Sequence, residues 1–256
     1  MTTFRSIAML LCAVALVSCD KNAVQDITGT LPGARIKFFH FGVNAPGVYF
    51  YANDAKMTAL LSTTGVESVT GTVYGGVGSG GFYSAIAPGQ YTLAAKIAAT
   101  TDKDLAISTA SATLADGKAY SYYISGFYNT TAKTVEGFVV EDPVDATIDY
   151  TVAYVRFVNA ISNSNPMTLY AKNTTTLAEV PVGGLVAYKA AGAYTALPNG
   201  VYDLSARVSG SSTNAIARTA VSFSAGRVYS ISARGDITVT SATATNRPFL
   251  DNTTNR

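Results

Sequence analysis

Two tandem all-β domains, each an antiparallel sandwich of about seven to eight short strands, are what this sequence predicts. Three observations carry that expectation. Apolar and polar residues alternate with a period of two along short stretches, which end at Gly, Pro, Asn and Asp as half-buried strands do. Much of the chain occurs twice. The composition is that of a β-rich extracellular protein: 13% of residues are charged, there are 16 tyrosines and no tryptophan, against a usual charged share of about 25%. At 256 residues the chain is long enough for two such domains, each able to bury a core of its own.

The repeat is read position by position. RIKFFHFGVNAPGVYFYAN, starting at Arg35, matches YVRFVNAISNSNPMTLYAK, starting at Tyr154, at an offset of 119, so that Ile36 pairs with Val155, Lys37 with Arg156, Phe38 with Phe157 and His40 with Asn159. YSAIAPGQYTLAAKI from Tyr83 matches YTALPNGVYDLSARV from Tyr194 at offset 111. ISTASATLADGKAYSYYISG from Ile107 matches IARTAVSFSAGRVYSISARG from Ile216 at offset 109. The falling offset places eight extra residues of the first copy between Asn53 and Tyr83, and two more between Ile97 and Ile107. Loops accept such changes of length where strands do not.

Within each copy the alternation assigns faces. Ile36, Phe38 and His40 share one side of the first strand, with Phe39 and Phe41 on the other. Val48 and Phe50 point to the core side of the second strand, and Tyr49 and Tyr51 point away. Met167 and Leu169 do the same in the second copy, with Thr168 and Tyr170 opposite. Pro88-Gly89 against Asn199-Gly200, and Asp116-Gly117 against Ala225-Gly226, mark turns in matching places. No stretch after the leader holds a convincing helical period, and the strand count and turn spacing argue an immunoglobulin-like sandwich.

The amino terminus reads differently. Arg5 precedes an apolar stretch from Ile7 to Val17 that suits a signal-peptide core and is too short to span a bilayer, which needs about 20 apolar residues. Leu16, Val17, Ser18 and Cys19 resemble the lipobox of bacterial lipoproteins, whose cysteine becomes the lipid-modified first residue. Residues 1–18 are then the leader, with Cys19 as the lipidation site. An ordinary signal peptide or a Cys12 to Cys19 disulfide is the alternative, although either would leave a single thiol in an oxidising compartment or place the bridge in the removed segment. Residues 19–33, polar and carrying Gly29, Pro32 and Gly33, read as a flexible tether.

Residues 34–140 form the first sandwich, 141–152 an acidic linker, 153–242 the second sandwich and 243–256 a polar tail. In RIKFFHFGVNAP, followed by PGQYTL and LADGKAYSYYISG, the first copy resembles the DUF4397 family of bacterial envelope proteins. The second copy, with Asn159 in place of the histidine and its proline shifted to Pro166, resembles it less closely. That resemblance implies a β-sandwich, often lipid-anchored and often in tandem. It defines no catalytic residues.

Candidate chemistry is sparse. The linker EDPVDATIDY reads as a solvated, fairly stiff spacer; its carboxylates raise the idea of a calcium site but lack the dense loop of strong ones. GVGSGG at residues 76–81 satisfies G-x-G-x-x-G only formally, because no helix is expected to open after it. His40 is the only histidine, so His-dependent triads and His-rich metal sites have no second member, and a structural, hydrogen-bonded role is expected of it. Glu67, Asp102, Asp104, Glu136 and Glu179 are scattered, and the second copy repeats no facing pair of acids. No enzyme, cofactor or metal site is expected. Tyr49, Tyr51 and Tyr170, with Phe39 and Phe41, form a candidate aromatic platform for glycan or protein; the bland reading is that neighbouring strands cover them.

A net charge of +2 from dispersed charges argues against a nucleic-acid partner. The expectation is a protein of the bacterial cell envelope, held to a membrane by its amino-terminal lipid, and acting as a non-catalytic module for binding, adhesion or support. Its partner would be an envelope protein or glycan. The alternative is a carbohydrate-active or other hydrolytic accessory protein.

Overall fold

The strand that opens each half of the molecule is buried on both faces, and the architecture follows from that. In a computed structural model describing residues 33–143 and 148–256, β1 (Ala34–Val43) sends Ile36 and Phe38 into one core and Phe39 and Phe41 into another. A strand covered on both sides loses polar alternation, which is why IKFFHF is a nearly unbroken apolar run.

Nine residue pairs, from Arg35↔Ala119 to Val43↔Phe127, join β1 in parallel to β8 (Ala119–Asn129). On its other edge β1 takes two short antiparallel strands, β4 (Gly76–Val77) and β5 (Ser84–Ile86). Beyond β8 lies β9 (Thr134–Glu141). The facing sheet runs β3 (Ala55–Lys56), β2 (Val48–Ala52), β6 (Gly89–Ile97), β7 (Ala106–Leu114). Ile36, Phe38, Phe50, Leu93, Tyr122 and Ile124 fill the space between the sheets. There Phe38 stacks on Phe50 at 5.1 Å between ring centres, and Tyr122 meets Phe38 edge-on at 6.4 Å, both favoured aromatic geometries.

The second half repeats this strand for strand. β10 (Val152–Asn159) runs parallel to β17 (Val228–Arg234), takes β13 (Ala190–Ala191) and β14 (Thr195–Pro198) on its other edge, and β18 (Phe249–Thr254) continues beyond β17. The facing sheet runs β12 (Glu179–Val186), β11 (Met167–Asn173), β15 (Gly200–Val208), β16 (Asn214–Phe223). Val155, Phe157, Met167, Leu169, Leu204 and Ile231 lie in its core. The described residues are thus all-β and form two sandwiches. Registers agree as well: Arg35 lies opposite Ala119 as Tyr154 lies opposite Val228, the same places in the repeat.

The halves differ beside the second strand. β12 pairs with β11 from Met167 to Lys172, whereas β3 has two residues, and after it only an isolated bridge from Thr72 to Val48 pairs with β2 before the chain crosses to β4 in the other sheet; the eight-residue insertion sits here. Within GVGSGG, β4 leads into a 3-10 turn over Gly78–Gly81, with Ser79, Gly80 and Gly81 at φ 52°, 66° and 85°. No helix opens there to face a phosphate. Among the described residues no helix is long and apolar enough to cross a membrane.

Two boundaries need correction. Residues 243–256 are not simply a tail, because Phe249–Thr254 is β18 and supplies the sheet's outer strand. The linker is not a solvated spacer throughout: Glu141 ends β9 and Asp142 is 1% exposed, for a reason that lies in the contact between the sandwiches. Residues 144–147 and 1–32, including the leader, Cys19 and most of the tether, lie outside the described residues.

Candidate functional site

Between the two sandwiches lies a third buried cluster, and around it gather several buried, hydrogen-bonded polar side chains. Phe39, Phe41, Tyr123 and Phe138 from the first half pack on Val158 and Ala160 from the second. Tyr123 is sandwiched, stacking on Phe39 at 4.3 Å and on Phe138 at 5.0 Å. Its hydroxyl lies 3.4 Å from Ser232 Oγ. Burial pushes the Tyr123 hydroxyl pKa well above its ordinary value.

Beside these rings sits a polar group. Arg156, on the seam face of β10, is 1% exposed and forms an ion pair with Asp142. Its other nitrogens donate to the Glu141 carbonyl at 2.8 Å and to Ser230 Oγ at 2.9 Å. Asp142 Oδ2 also accepts from Tyr83 at 2.6 Å and from Ser121 at 2.7 Å. A buried charge is tolerated where its partner and the remaining hydrogen-bonding positions are supplied in this way. Asp142 is therefore drawn inward.

Lys37 is the counterpart of Arg156 and makes counterpart contacts. Its Nζ donates to the Thr254 carbonyl at 2.5 Å and to Asn255 Oδ1 at 3.1 Å, and it lies 4.3 Å from the centre of the Tyr83 ring. Asn255 Nδ2 donates to Ser230 Oγ at 2.7 Å and Tyr194 at 3.0 Å. Following the strand registers, Thr254 and Asn255 occupy the places of Glu141 and Asp142. Burial lowers the Lys37 ammonium pKa from its ordinary value to about 8.

The aromatic platform does not exist as an open surface. Tyr49 and Tyr51 are 3% and 7% exposed. Residues of the first-copy insertion cover Tyr49, whose hydroxyl donates to the Ser68 carbonyl at 2.5 Å and lies 3.2 Å from the Leu60 carbonyl. Tyr51 donates to Asp104 at 3.3 Å and carries the ammonium groups of Lys96 and Lys56 over its ring at 4.4 and 5.6 Å. Tyr170 is half-buried beneath the guanidinium of Arg207, 4.1 Å from its ring centre, which Glu179 holds at 2.6 Å. Phe39 and Phe41 are wholly inside the seam. A period of two says which side a residue takes and nothing about what will cover that side.

His40 is fully buried, and its Nε2 donates to the Pro46 carbonyl at 2.9 Å. Burial lowers its pKa. Asn159 at the equivalent place is also fully buried; its Oδ1 accepts from the Ile161 amide at 3.0 Å and its Nδ2 donates to the Val186 carbonyl at 3.3 Å. Four of the five carboxylates considered as catalytic acids pair with separate cations, Glu67 with Lys56, Asp102 with Lys133, Glu136 with Lys189 and Glu179 with Arg207, and the fifth, Asp104, accepts from the Tyr51 hydroxyl. Among the described residues no three His, Cys, Asp or Glu side chains gather as metal ligands would.

Lys37, Asp142, Tyr83, Tyr194 and Asn255 escaped notice as site residues, although one signal was present. A basic residue interrupts an apolar run at the same place in both copies, Lys37 and Arg156, and a cation kept mid-strand asks for a partner. Where Lys37 meets β18 a cleft of about 680 Å³ opens, lined by Val77, Phe82, Tyr83, Arg227 and Arg256 among others.

Solved structures with similarity to the chain include the Bacillus anthracis TIE protein, at 14% identity and a TM-score of 0.22 over 80% of this chain, which spans 34% of that protein's length. A candidate cell adhesion protein from Bacteroides ovatus is similar at 12% identity and a TM-score of 0.23, over 89% of this chain and 97% of its own. No curated protein matches the sequence. The family match falls on the second copy: residues 153–256, a span that takes in β18, are a DUF4397 domain, a domain of unknown function.

Proposed function

We propose that this chain is a lipid-anchored protein of the bacterial cell envelope whose two sandwiches act together as a non-catalytic module for binding, adhesion or structural support. The observation that carries the reading is the seam. Side chains with the means for chemistry, among them Lys37, Arg156, Asp142 and Tyr83, are spent on joining the sandwiches, and a joint that buries aromatics and charges together resists domain motion far more than a polar linker would. Such a body suits display. Residues 34–140 are, on this reading, a first copy of the same domain, which the shared strand order and registers support.

The lipobox-like Leu16 to Cys19 supplies the address. Acylation at both thiol and amine gives an anchor of several chains, where one chain binds only marginally. Mass spectrometry of the mature amino terminus from the membrane fraction tests this part: a diacylglyceryl-modified Cys19 is expected, and an unmodified cysteine or cleavage elsewhere overturns it. A panel of chromogenic glycosides and esters tests the rest. No turnover is expected; turnover abolished by changing one Asp or Glu would establish the hydrolytic alternative instead.

A further inference from the structure

The two ends of the polar cluster are equivalent in the repeat but not in charge. At one end two cations, Arg156 and Lys118, face Asp142 and Glu141. At the other end the equivalent cations are Lys37 and Arg227, and the places of the two acids are taken by Asn255 and Thr254. Neutral side chains stand where the first end has two carboxylates, while both equivalent basic places hold a cation. Arg256 adds a third on the same wall.

The 680 Å³ cleft opens at this second end. Lys37 and Tyr83 stand with Val77 on one side, and Asn252 to Arg256 with Arg227 on the other; none of the lining side chains is acidic. Phe82 stands at the cleft 76% exposed. Gly80 and Gly81, both at positive φ, make the turn that puts it there, a conformation open to glycine at no steric cost. An aromatic face left in water beside amides, hydroxyls and cations offers a sugar ring a stacking surface. Guanidinium groups hold carboxylates through paired, charge-assisted bonds.

We propose that this cleft binds an acidic saccharide, a glycan bearing uronic acid, with its carboxylate held by the exposed Arg227 and Arg256 and a sugar ring on Phe82. The ligand's carboxylate supplies the counter-charge that Asp142 and Glu141 supply at the other end. The proposal rests on the reading of the chain as a binding module and names its ligand class. An acidic peptide would satisfy the charges, but the walls hold one aliphatic side chain, Val77, and otherwise little to grip peptide side chains.

The experiment is isothermal titration calorimetry of the detergent-solubilised full-length protein at low salt, with trigalacturonate, galactotriose and hexaglutamate as probes. Trigalacturonate should bind, and galactotriose at least about tenfold more weakly. Arg227→Gln and Phe82→Ala, both at exposed positions, should each weaken trigalacturonate about tenfold or more with an unchanged melting temperature. Asn255→Asp places an acid where the other end has Asp142 and should abolish the preference for the charged sugar without lowering the melting temperature. Equal affinity for the neutral sugar, tighter binding of hexaglutamate, or undiminished binding by Arg227→Gln overturns the proposal. No binding of any probe overturns it too, while a lipidated Cys19 would still leave the envelope module standing.

Discussion

Comparing the two sides of the seam shows how two sandwiches of matching strand order meet without being identical. Arg156 reaches the Glu141 carbonyl and Asp142, and Lys37 reaches the Thr254 carbonyl and Asn255; these are the same contacts made twice, with the halves exchanged. A contact pattern in which one position meets another and the other meets the first is that of an isologous, two-fold interface. Tyr123 and Ser232, which occupy equivalent places, meet each other, as residues at a pseudo-two-fold axis must. Yet the side chains differ, and in complementary ways. The first half contributes Phe39, Phe41, Tyr123 and Phe138, where the second has Val158, Ala160, Ser232 and Asp251. Bulky against small fills the seam; bulky against bulky would overpack it, and small against small would leave a void.

The largest test breaks the charged half. Asp142→Ala leaves Arg156 buried without its acid and should lower stability by about 3–5 kcal/mol, read from urea unfolding. Asp142→Asn, which makes the two halves alike, should cost clearly less. Equal losses would mean that the charge difference between the halves has no structural weight.

Tyr123→Ala attacks the bulky half and should cost about 3–5 kcal/mol, as removal of a buried ring does. Because its contacts lie between the sandwiches, a single unfolding transition should separate into two. A lower midpoint with one transition retained would show that the sandwiches do not depend on the seam for their cooperation.

A smaller effect follows from Lys37. Its folded pKa is lowered to about 8 by burial, opposed by Asp142 and assisted by Arg156, and its ordinary value is 10.5. Between those values the unfolded chain binds more protons than the folded one, so stability rises with pH across that window. Burial raises the pKa of Tyr83 and Tyr123, Asp142 adding to the rise, so their contribution is lost above the ordinary tyrosine range. Stability should climb from about pH 8 to about pH 10 and then fall. In Lys37→Met the climb should vanish and the fall remain; an unchanged climb would remove Lys37 as its source.

His40→Asn should matter least. It places in the first half the residue already buried at the equivalent position of the second, and should cost no more than about 1 kcal/mol, the scale of one hydrogen bond. A loss of several times that would separate the two positions in role as well as in identity.

The sequence by itself determined the strands, the internal repeat and the faces. Val48, Phe50, Met167 and Leu169 went to their cores as the alternation requires, because a period of two is written in adjacent residues and a one-residue slip would reverse every side chain. Turns at Gly89 and Gly200 lie at matching places, each opening the next strand. What covers the other face was decided only by the tertiary structure. Tyr49, Tyr51 and Phe39 alternate like surface residues, but the first two lie beneath a loop, lysines and strand neighbours, and the third lies against another domain. The charged seam shows the reason most plainly. Lys37 and Thr254 are joined across 217 positions of chain, and no local pattern encodes the identity of a partner so distant; only folding brings the cation to its carbonyl and leaves the acid at one end of the seam but not at the other.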